Sequence, residues 1–178
     1  LWSGLGYYSR ARNLHRCAQV VVAEHGGRFP ASSALLAKLP GIGRSTAAAI
    51  AAFCFGERCA ILDGNVKRVL SRHFAIAGDS SSAAVQQQLW ALAEQLTPHT
   101  QVAAYTQAMM DLGATLCTRS KPLCLYCPVQ KTCQAFALGT PNAFPQKKAA
   151  KELPTKRAYF LIIKNEQQER SEEHTSEL

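Results

Sequence analysis

Residues 39–50 of this 178-residue chain read "LPGIGRSTAAAI", and this motif predicts the fold. A short helical pattern ends at Pro40 and Gly41, the chain turns tightly, and an alanine-rich helix follows Gly43. Glycines permit unusual backbone dihedral angles and leave the turn without side chains. The N–H groups that begin the second helix can then bind a phosphate, because the helix dipole favours negative charge there. The stretch predicts a helix-hairpin-helix that binds the DNA backbone without reading its sequence, whereas the alternative is an ordinary corner between two helices.

Composition and charge limit the classes of protein to consider. Apolar residues make up 47% of the chain and charged residues 18%, which is typical of a soluble globular domain. No apolar run approaches about 20 residues, the length that spans a bilayer, so we expect no membrane partner. The net charge of +8 and the pI near 9.3 favour a polyanionic partner, although many basic proteins bind nothing acidic.

Nearly every periodic segment is predicted to be helical. Beyond the hairpin, helical spacing covers residues 7–27, 65–74, 82–96 and 103–117. After Cys133 the sequence becomes rich in proline and lysine, which predicts a linker over residues 135–157. "AYFLIIK", residues 158–164, predicts one strand, and residues 158–169 are interpreted as the start of a second domain because a lone strand has no sheet to join.

The last nine residues, "RSEEHTSEL" at 170–178, resemble the translated read-through of a sequencing adapter. They are excluded from the prediction of the fold. The chain also opens on Leu1 rather than on an initiator methionine, so we expect it to be cut at both ends.

Four of the seven cysteines lie within residues 117–133. Because no secretory signal accompanies them, a metal centre is favoured over a disulfide scaffold. Four thiolates can hold an iron–sulphur cluster or a tetrahedral zinc ion, but a structural zinc site more often shows two C-x2-C pairs. The predicted ligands are Cys117, Cys124, Cys127 and Cys133. The same loop carries Arg119, Lys121 and Lys131, which could face phosphates or be solvated surface charge.

The stretch "ILDGNVKRVL", residues 61–70, places an aspartate at the start of a predicted helix. Aspartate is a favoured N-cap, so local rules make Asp63 a helix cap. It also follows the hairpin helix after a short loop. A carboxylate beside bound DNA can stabilise the positive charge that develops on a deoxyribose when its glycosidic bond breaks. Both interpretations stay open at the level of the residues.

Together these motifs resemble the helix-hairpin-helix DNA glycosylase superfamily, and within it the adenine glycosylase (MutY-type) branch. The resemblance extends to about Lys164 and rests on "LWSGLGYYSRARNLH", "LPGIGRSTAAAI", "ILDGNVKRVL", "QAMMDLGA" and "CTRSKPLCLYCP". It implies a mainly α fold, with a partial six-helix barrel over residues 1–62 that includes the hairpin at 39–50. Residues 63–134 would carry the aspartate helix and one 4Fe–4S cluster, with zinc as the weaker alternative. The strand at 158–164 would open a Nudix-like domain.

The resemblance also implies an activity and a site. Such a protein removes adenine mispaired with 8-oxoguanine or guanine from double-stranded DNA, after flipping the adenine out of the helix. Asp63 would be the catalytic aspartate and Asn65 would orient it. Gln107 would face the edge of the flipped adenine, and Tyr7 would wedge into the duplex. The implied DNA contacts are Tyr7, Leu39, Pro40, Gly41, Ile42, Gly43, Gln107, Arg119 and Lys121.

Ser45 distinguishes this branch from the endonuclease III branch, in which the same hairpin position holds a lysine that attacks the sugar. A serine implies a monofunctional glycosylase that uses water and cleaves the strand poorly. The family's catalytic glutamate, a general acid, has no counterpart in the chain, so we expect these 178 residues alone to be nearly inactive.

Two alternative functions stay open. One is an endonuclease III-type glycosylase for oxidised pyrimidines, and the other is a non-enzymatic DNA-binding module built on the hairpin and the cysteine loop. We expect a monomer and, in a bacterium, a cytoplasmic, nucleoid-associated location.

Overall fold

The computed structural model describes Trp2 and residues 4–146, and the structural statements below refer to these residues. Their α-helices are α1 (Tyr8–His25), α2 (Ser33–Leu36), α3 (Arg44–Phe55), α4 (Gly64–His73), α5 (Ala83–Leu96), α6 (Val102–Asp111) and α7 (Gln134–Ala137). A π-helical turn, Leu112–Leu116, continues α6, and 3-10 turns lie at Cys124–Tyr126, Gln130–Thr132 and Pro141–Ala143.

The predicted mainly α fold is confirmed. Within residues 4–146 the structure contains helices and one isolated β-bridge, between Asp79 and Gln146, but no strand. The predicted strand at 158–164, the second domain at 158–169 and the excluded tail at 170–178 lie outside the described residues. None of the described helices is long and apolar enough to cross a membrane.

Helix α3 separates two hydrophobic cores, because its alanines face both sides. Ala47 and Ala51 belong to one core, together with Cys17 and Val21 of α1 and with Leu36 and Leu39 of the α2 region. Ala48 belongs to the other core, which includes residues of α4 and α5. Small side chains at a contact let helices approach closely. The hairpin that begins α3 is therefore packed firmly between its neighbours.

Helix α4 is the central helix of the second core. Its buried apolar residues Val66, Val69 and Leu70 recur at helical spacing. The helix packs against α5, α6, the π-helical turn and α7. Its N-terminal end, which follows Asp63, is therefore fixed by several elements at once.

The segment predicted as a linker, residues 135–157, is folded over its described part. Helix α7 packs against α4, and Ala135 is fully buried. The carbonyl of Phe144 accepts a hydrogen bond of 3.0 Å from Arg72 Nε, across 72 residues of sequence. The linker prediction is therefore wrong for residues 135–146, because proline and lysine content says nothing about a contact this distant in the chain.

Candidate functional site

The turn between α2 and α3 is shaped by two glycines with different roles. Gly41 has a φ of +78°, and a Cβ built on it would lie 2.7 Å from Asn13 Cβ, so only glycine fits against α1 there. Gly43 caps α3 in extended conformation and has no atom within 4 Å of a Cβ position. No side chain caps the N-terminus of α3. The N–H groups of its first turn are therefore directed at open space in front of Gly43.

The hairpin is joined to Asp63 by one hydrogen bond. The Ser45 hydroxyl, in the first turn of α3, accepts a bond of 2.9 Å from the backbone N–H of Leu62. Ile61 and Leu62 are buried in the second core. The carboxylate that follows them is thereby held at a fixed place beside the start of α3.

Asp63 caps helix α4 through one of its two carboxylate oxygens. Its Oδ1 accepts a bond of 2.8 Å from the N–H of Val66, the cap that the sequence predicts. Within the described part of the chain, no hydrogen bond engages Oδ2, and the residue is half-buried. One oxygen therefore fixes the carboxylate while the other is available to a ligand.

The structure differs from the expected role of Asn65. Its Oδ1 accepts a bond of 2.8 Å from Arg68 Nη2, so the amide is held towards Arg68 rather than hydrogen-bonded to Asp63. Arg68 also donates to the carbonyls of Gly113, at 2.6 Å, and Cys117, at 2.7 Å. The helix of Asp63 is thus connected through Arg68 to the cysteine loop.

The π-helical turn makes room for this connection. A Cβ on Gly113 would lie 2.6 Å from Asn65 Cβ and 3.1 Å from the Cα and carbonyl carbon of Asn65. The backbones of the turn and of α4 therefore touch at a point where only glycine fits. The N–H of Cys117 closes the turn on Leu112 O at 2.7 Å, which sets the position of the first cysteine.

The four predicted ligands are half-buried free thiols, and the charges of several of them act on one another. Burial raises the pKa of Cys124, and the charges of Cys117 and Cys133 raise it further, while Arg72 lowers it. Burial and the same two cysteines raise the pKa of Cys127. Among the described residues, however, no three His, Cys, Asp or Glu side chains are arranged around a single metal ion.

The other predicted DNA contacts lie in different environments. The side chain of Leu39 is 4% exposed and belongs to the first core, so any contact from it with DNA would come from its backbone. Tyr7 is 79% exposed and precedes α1 with a φ of +46°. Gln107 is exposed and donates to Asp111 Oδ1 at 2.8 Å, along the surface of α6. Pro40 and Ile42 are half-buried, whereas Arg119 and Lys121 are exposed.

Sequence reasoning missed Arg68 and Arg72, which hold α4 to the cysteine loop. Their spacing of four places them on one side of α4, beside the buried Val69. That spacing was the one sequence feature that could have identified them, but arginines four residues apart are also common on solvent-exposed helices. Apart from Asn65, their partners are 45 to 72 residues away in sequence, so no local pattern identifies them.

The described part of the chain is helical, and it places a glycine turn without side chains next to a carboxylate that has one oxygen in a helix cap. A protein of this class can bind a DNA backbone and place negative charge beside it. Residues 1–95 match the model of the HhH-GPD superfamily base excision DNA repair proteins. The chain belongs to this superfamily.

The relatives of this chain include adenine DNA glycosylases of Buchnera aphidicola and Homo sapiens. The protein of Buchnera aphidicola subsp. Acyrthosiphon pisum (strain APS) is 42% identical over 166 residues, which are 93% of this chain and 47% of the relative. The Homo sapiens protein is 52% identical over 136 residues, which are 76% of this chain and 25% of the relative. These matches confirm the resemblance to the adenine glycosylase branch. The chain spans about half the length of the first relative and a quarter of the second.

Solved structures confirm the helix-hairpin-helix glycosylase fold. The structure of a thermostable thymine-DNA glycosylase matches with a TM-score of 0.63 and 34% identity, over 72% of this chain and 58% of that chain. A non-covalent endonuclease III–DNA complex matches with a TM-score of 0.61 over 76% of this chain and 61% of that chain. At 24% identity, the second match shows the fold alone.

Proposed function

We propose that the full-length protein is a monofunctional DNA glycosylase that hydrolyses the N-glycosidic bond of adenine mispaired with 8-oxoguanine or guanine. The observation that carries this proposal is the carboxylate of Asp63, which is anchored through Oδ1, open at Oδ2 and tied to the hairpin helix through Ser45 and Leu62. The superfamily and the names of the two relatives support the class of reaction.

The chemistry follows from where these groups lie. A backbone phosphate binds at the first N–H groups of α3, and the target adenine is flipped out of the stack. The bond between the sugar carbon and the adenine nitrogen breaks, and its electron pair leaves with the base, which takes a proton. Oδ2 of Asp63 stabilises the cation left on the sugar until the oxygen of a water molecule adds and releases a proton.

The residue at the hairpin position argues for water as the nucleophile. Ser45 has no amine to form a Schiff base, and its hydroxyl already accepts the N–H of Leu62. The products are therefore free adenine and an intact strand with an abasic site.

We further infer that the four cysteines bind one 4Fe–4S cluster, with zinc as the alternative. A cluster distributes its four thiolate ligands over several irons, and the charges of Cys117, Cys127 and Cys133 all act on Cys124. The surroundings suit an anionic centre, since Arg72 Nη1 lies 3.4 Å from Cys117 Sγ. When bound, the cluster would supply a rigid anchor for the loop that carries Arg119 and Lys121, which we place beside the DNA backbone.

A substrate panel tests the proposed reaction. The full-length protein is given duplexes with A·8-oxoguanine, A·G or A·T pairs, and a duplex with an oxidised pyrimidine. We expect adenine release from the first two alone, with strand breaks that form only after alkali treatment. Release of the oxidised pyrimidine, or strand cleavage without alkali, would instead favour the endonuclease III-type reaction. Duplex binding without release of any base would favour the DNA-binding module.

The phosphate site of the hairpin is tested by Gly43→Ala. We expect duplex affinity to fall roughly tenfold, because the methyl group occupies the place of a phosphate held by a charge-assisted hydrogen bond. The loss of an N-cap glycine destabilises the fold by no more than about 1 kcal/mol, since nothing lies within 4 Å of the new Cβ. Fluorescence anisotropy with labelled duplex and thermal unfolding give the two quantities.

Gly41→Ala serves as the contrasting variant. Its positive φ and the 2.7 Å approach to Asn13 Cβ should make it less stable than Gly43→Ala. If Gly43→Ala binds duplex as tightly as the wild type does, the phosphate is not seated in front of this turn.

A further inference from the structure

Arg72, on α4, is a buried cation beside the cysteine loop. Arg72 is 3% exposed, and every nitrogen of its guanidinium donates a hydrogen bond. Nε donates to Phe144 O at 3.0 Å, and Nη1 donates to Thr118 O at 2.7 Å. Nη2 donates to Arg119 O at 3.0 Å and to Asn142 Oδ1 at 3.4 Å. One side chain thus holds both the start of the cysteine loop and the segment after α7 to α4.

Within the described residues, no carboxylate forms an ion pair with this guanidinium. The ion pair found there joins Arg44 to Glu94, in another part of the protein. Arginine does not lose its proton in proteins, so the positive charge persists. Burial of an unpaired charge is strongly unfavourable, and carbonyl dipoles offset it only in part.

Two of the cysteine thiols lie next to Arg72. Nη1 lies 3.4 Å from Cys117 Sγ, and Cys133 Sγ donates to the carbonyl of Arg72 itself at 3.6 Å. Metal-bound cysteines are thiolates, so they would place negative charge beside the guanidinium. The environment of Arg72 is therefore matched to the metal-bound state of the loop.

We propose that Arg72 is a positioning residue of the cysteine site: its guanidinium fixes residues 117–119 and 142–144 on α4 and supplies the buried positive charge that balances the metal-bound thiolates. The proposal rests on the metal centre inferred above but not on which metal fills it. Because Arg72 is buried and its guanidinium is bonded within the protein, its effect on base excision would be indirect.

The test compares Arg72→Lys and Arg72→Met in the full-length protein, with iron, zinc and acid-labile sulfide measured after purification. A lysine keeps the charge but cannot reach three carbonyls at once. Arg72→Lys should therefore retain metal less well than the wild type, and Arg72→Met should retain it less well again. Loss of an outer-shell partner typically costs 10–100-fold in metal affinity, so we expect a chelator to remove the metal about 10–100-fold faster from Arg72→Met.

Arg58→Met is the matched control. Arg58 also donates to backbone carbonyls, of Thr97 at 3.0 Å and of Glu94 at 2.9 Å, but neither bond reaches the cysteine loop. It should retain metal as the wild type does. Amide hydrogen exchange should rise in Arg72→Lys over residues 117–119 and 142–144, while the helices stay protected.

A measurement of the reduction potential separates the effect of the Arg72 charge from the effect of its packing and hydrogen bonds. If the wild type holds an iron–sulphur cluster, Arg72→Met should lower its reduction potential, because the more negative reduced form loses a neighbouring cation. Should Arg72→Met fail to fold, Arg72→Lys decides through metal retention and exchange. Wild-type metal retention and protection in Arg72→Lys would overturn the proposal.

The metal content of the wild type has consequences of its own. A wild type that binds zinc would refute the cluster, and the role of Arg72 would then be tested by zinc content. A wild type without metal would refute both the cluster and the role of Arg72.

Discussion

Replacement of Asp63 by asparagine in the full-length protein should lower the rate of adenine excision by about 10²–10³-fold, the usual cost of removing one group that stabilises transition-state charge. Duplex affinity and the melting temperature should stay close to those of the wild type. The reason is that Oδ1 and Oδ2 of Asp63 have separate tasks. Oδ1 caps α4 at Val66 N–H, whereas Oδ2 is open to the sugar.

Asparagine retains the first task and loses the second. Its amide oxygen caps a helix about as well as a carboxylate does, but it carries no negative charge to oppose a cation. Asp63→Ala is the matched variant, because it removes the cap as well and should cost about 1 kcal/mol of folding stability. Single-turnover excision, duplex binding and thermal unfolding of both variants separate cap from catalyst.

Two outcomes would contradict this assignment. Wild-type excision by Asp63→Asn would reduce Asp63 to a helix cap. Loss of duplex binding in Asp63→Asn, with stability unchanged, would make Asp63 part of the DNA-binding surface instead. In either case the hairpin and the family membership would be unaffected.

The sequence predicts those parts of the molecule whose causes are local. The helices follow from apolar spacing, and the hairpin follows from glycines flanking a turn. The cap at Asp63 follows from an aspartate placed three residues before Val66, whose N–H it accepts. The structure adds that cap and catalyst need not be alternatives, since one oxygen suffices for the cap.

The remaining parts depend on contacts that no local pattern encodes. Arg68 donates to Gly113 and Cys117, which are 45 and 49 residues later in the chain. Arg68 also donates to Asn65 Oδ1, a contact that the expected role of Asn65 beside Asp63 did not include. Proline and lysine after Cys133 favour a linker locally, but α7 is drawn onto α4 by the burial of Ala135.

The backbone contact at Gly113 is one of these distant features, and a single methyl group tests it. Gly113→Ala would place a Cβ 2.6 Å from Asn65 Cβ and 3.1 Å from two backbone atoms of Asn65. Those atoms cannot rotate away, so the π-helical turn or the start of α4 must shift. We expect a loss of roughly 1–3 kcal/mol in the free energy of unfolding, the usual cost of overpacking. The better helix propensity of alanine, at most about 1 kcal/mol, offsets only part of this.

Gly64→Ala is the control, because Gly64 also lies at the start of α4 but has nothing within 4 Å of a Cβ position and no positive φ. It should be as stable as the wild type or slightly more so. Gly113→Ala should in addition slow excision, since a shift of Asn65 moves Asp63, two residues before it. Thermal unfolding and single-turnover excision of the two variants check both effects. Equal stability of Gly113→Ala and Gly64→Ala would mean that the turn and α4 do not touch here. Lower stability with unchanged excision would mean that the displacement stops short of the carboxylate, and that Ser45 and the buried Leu62 hold it from the other side.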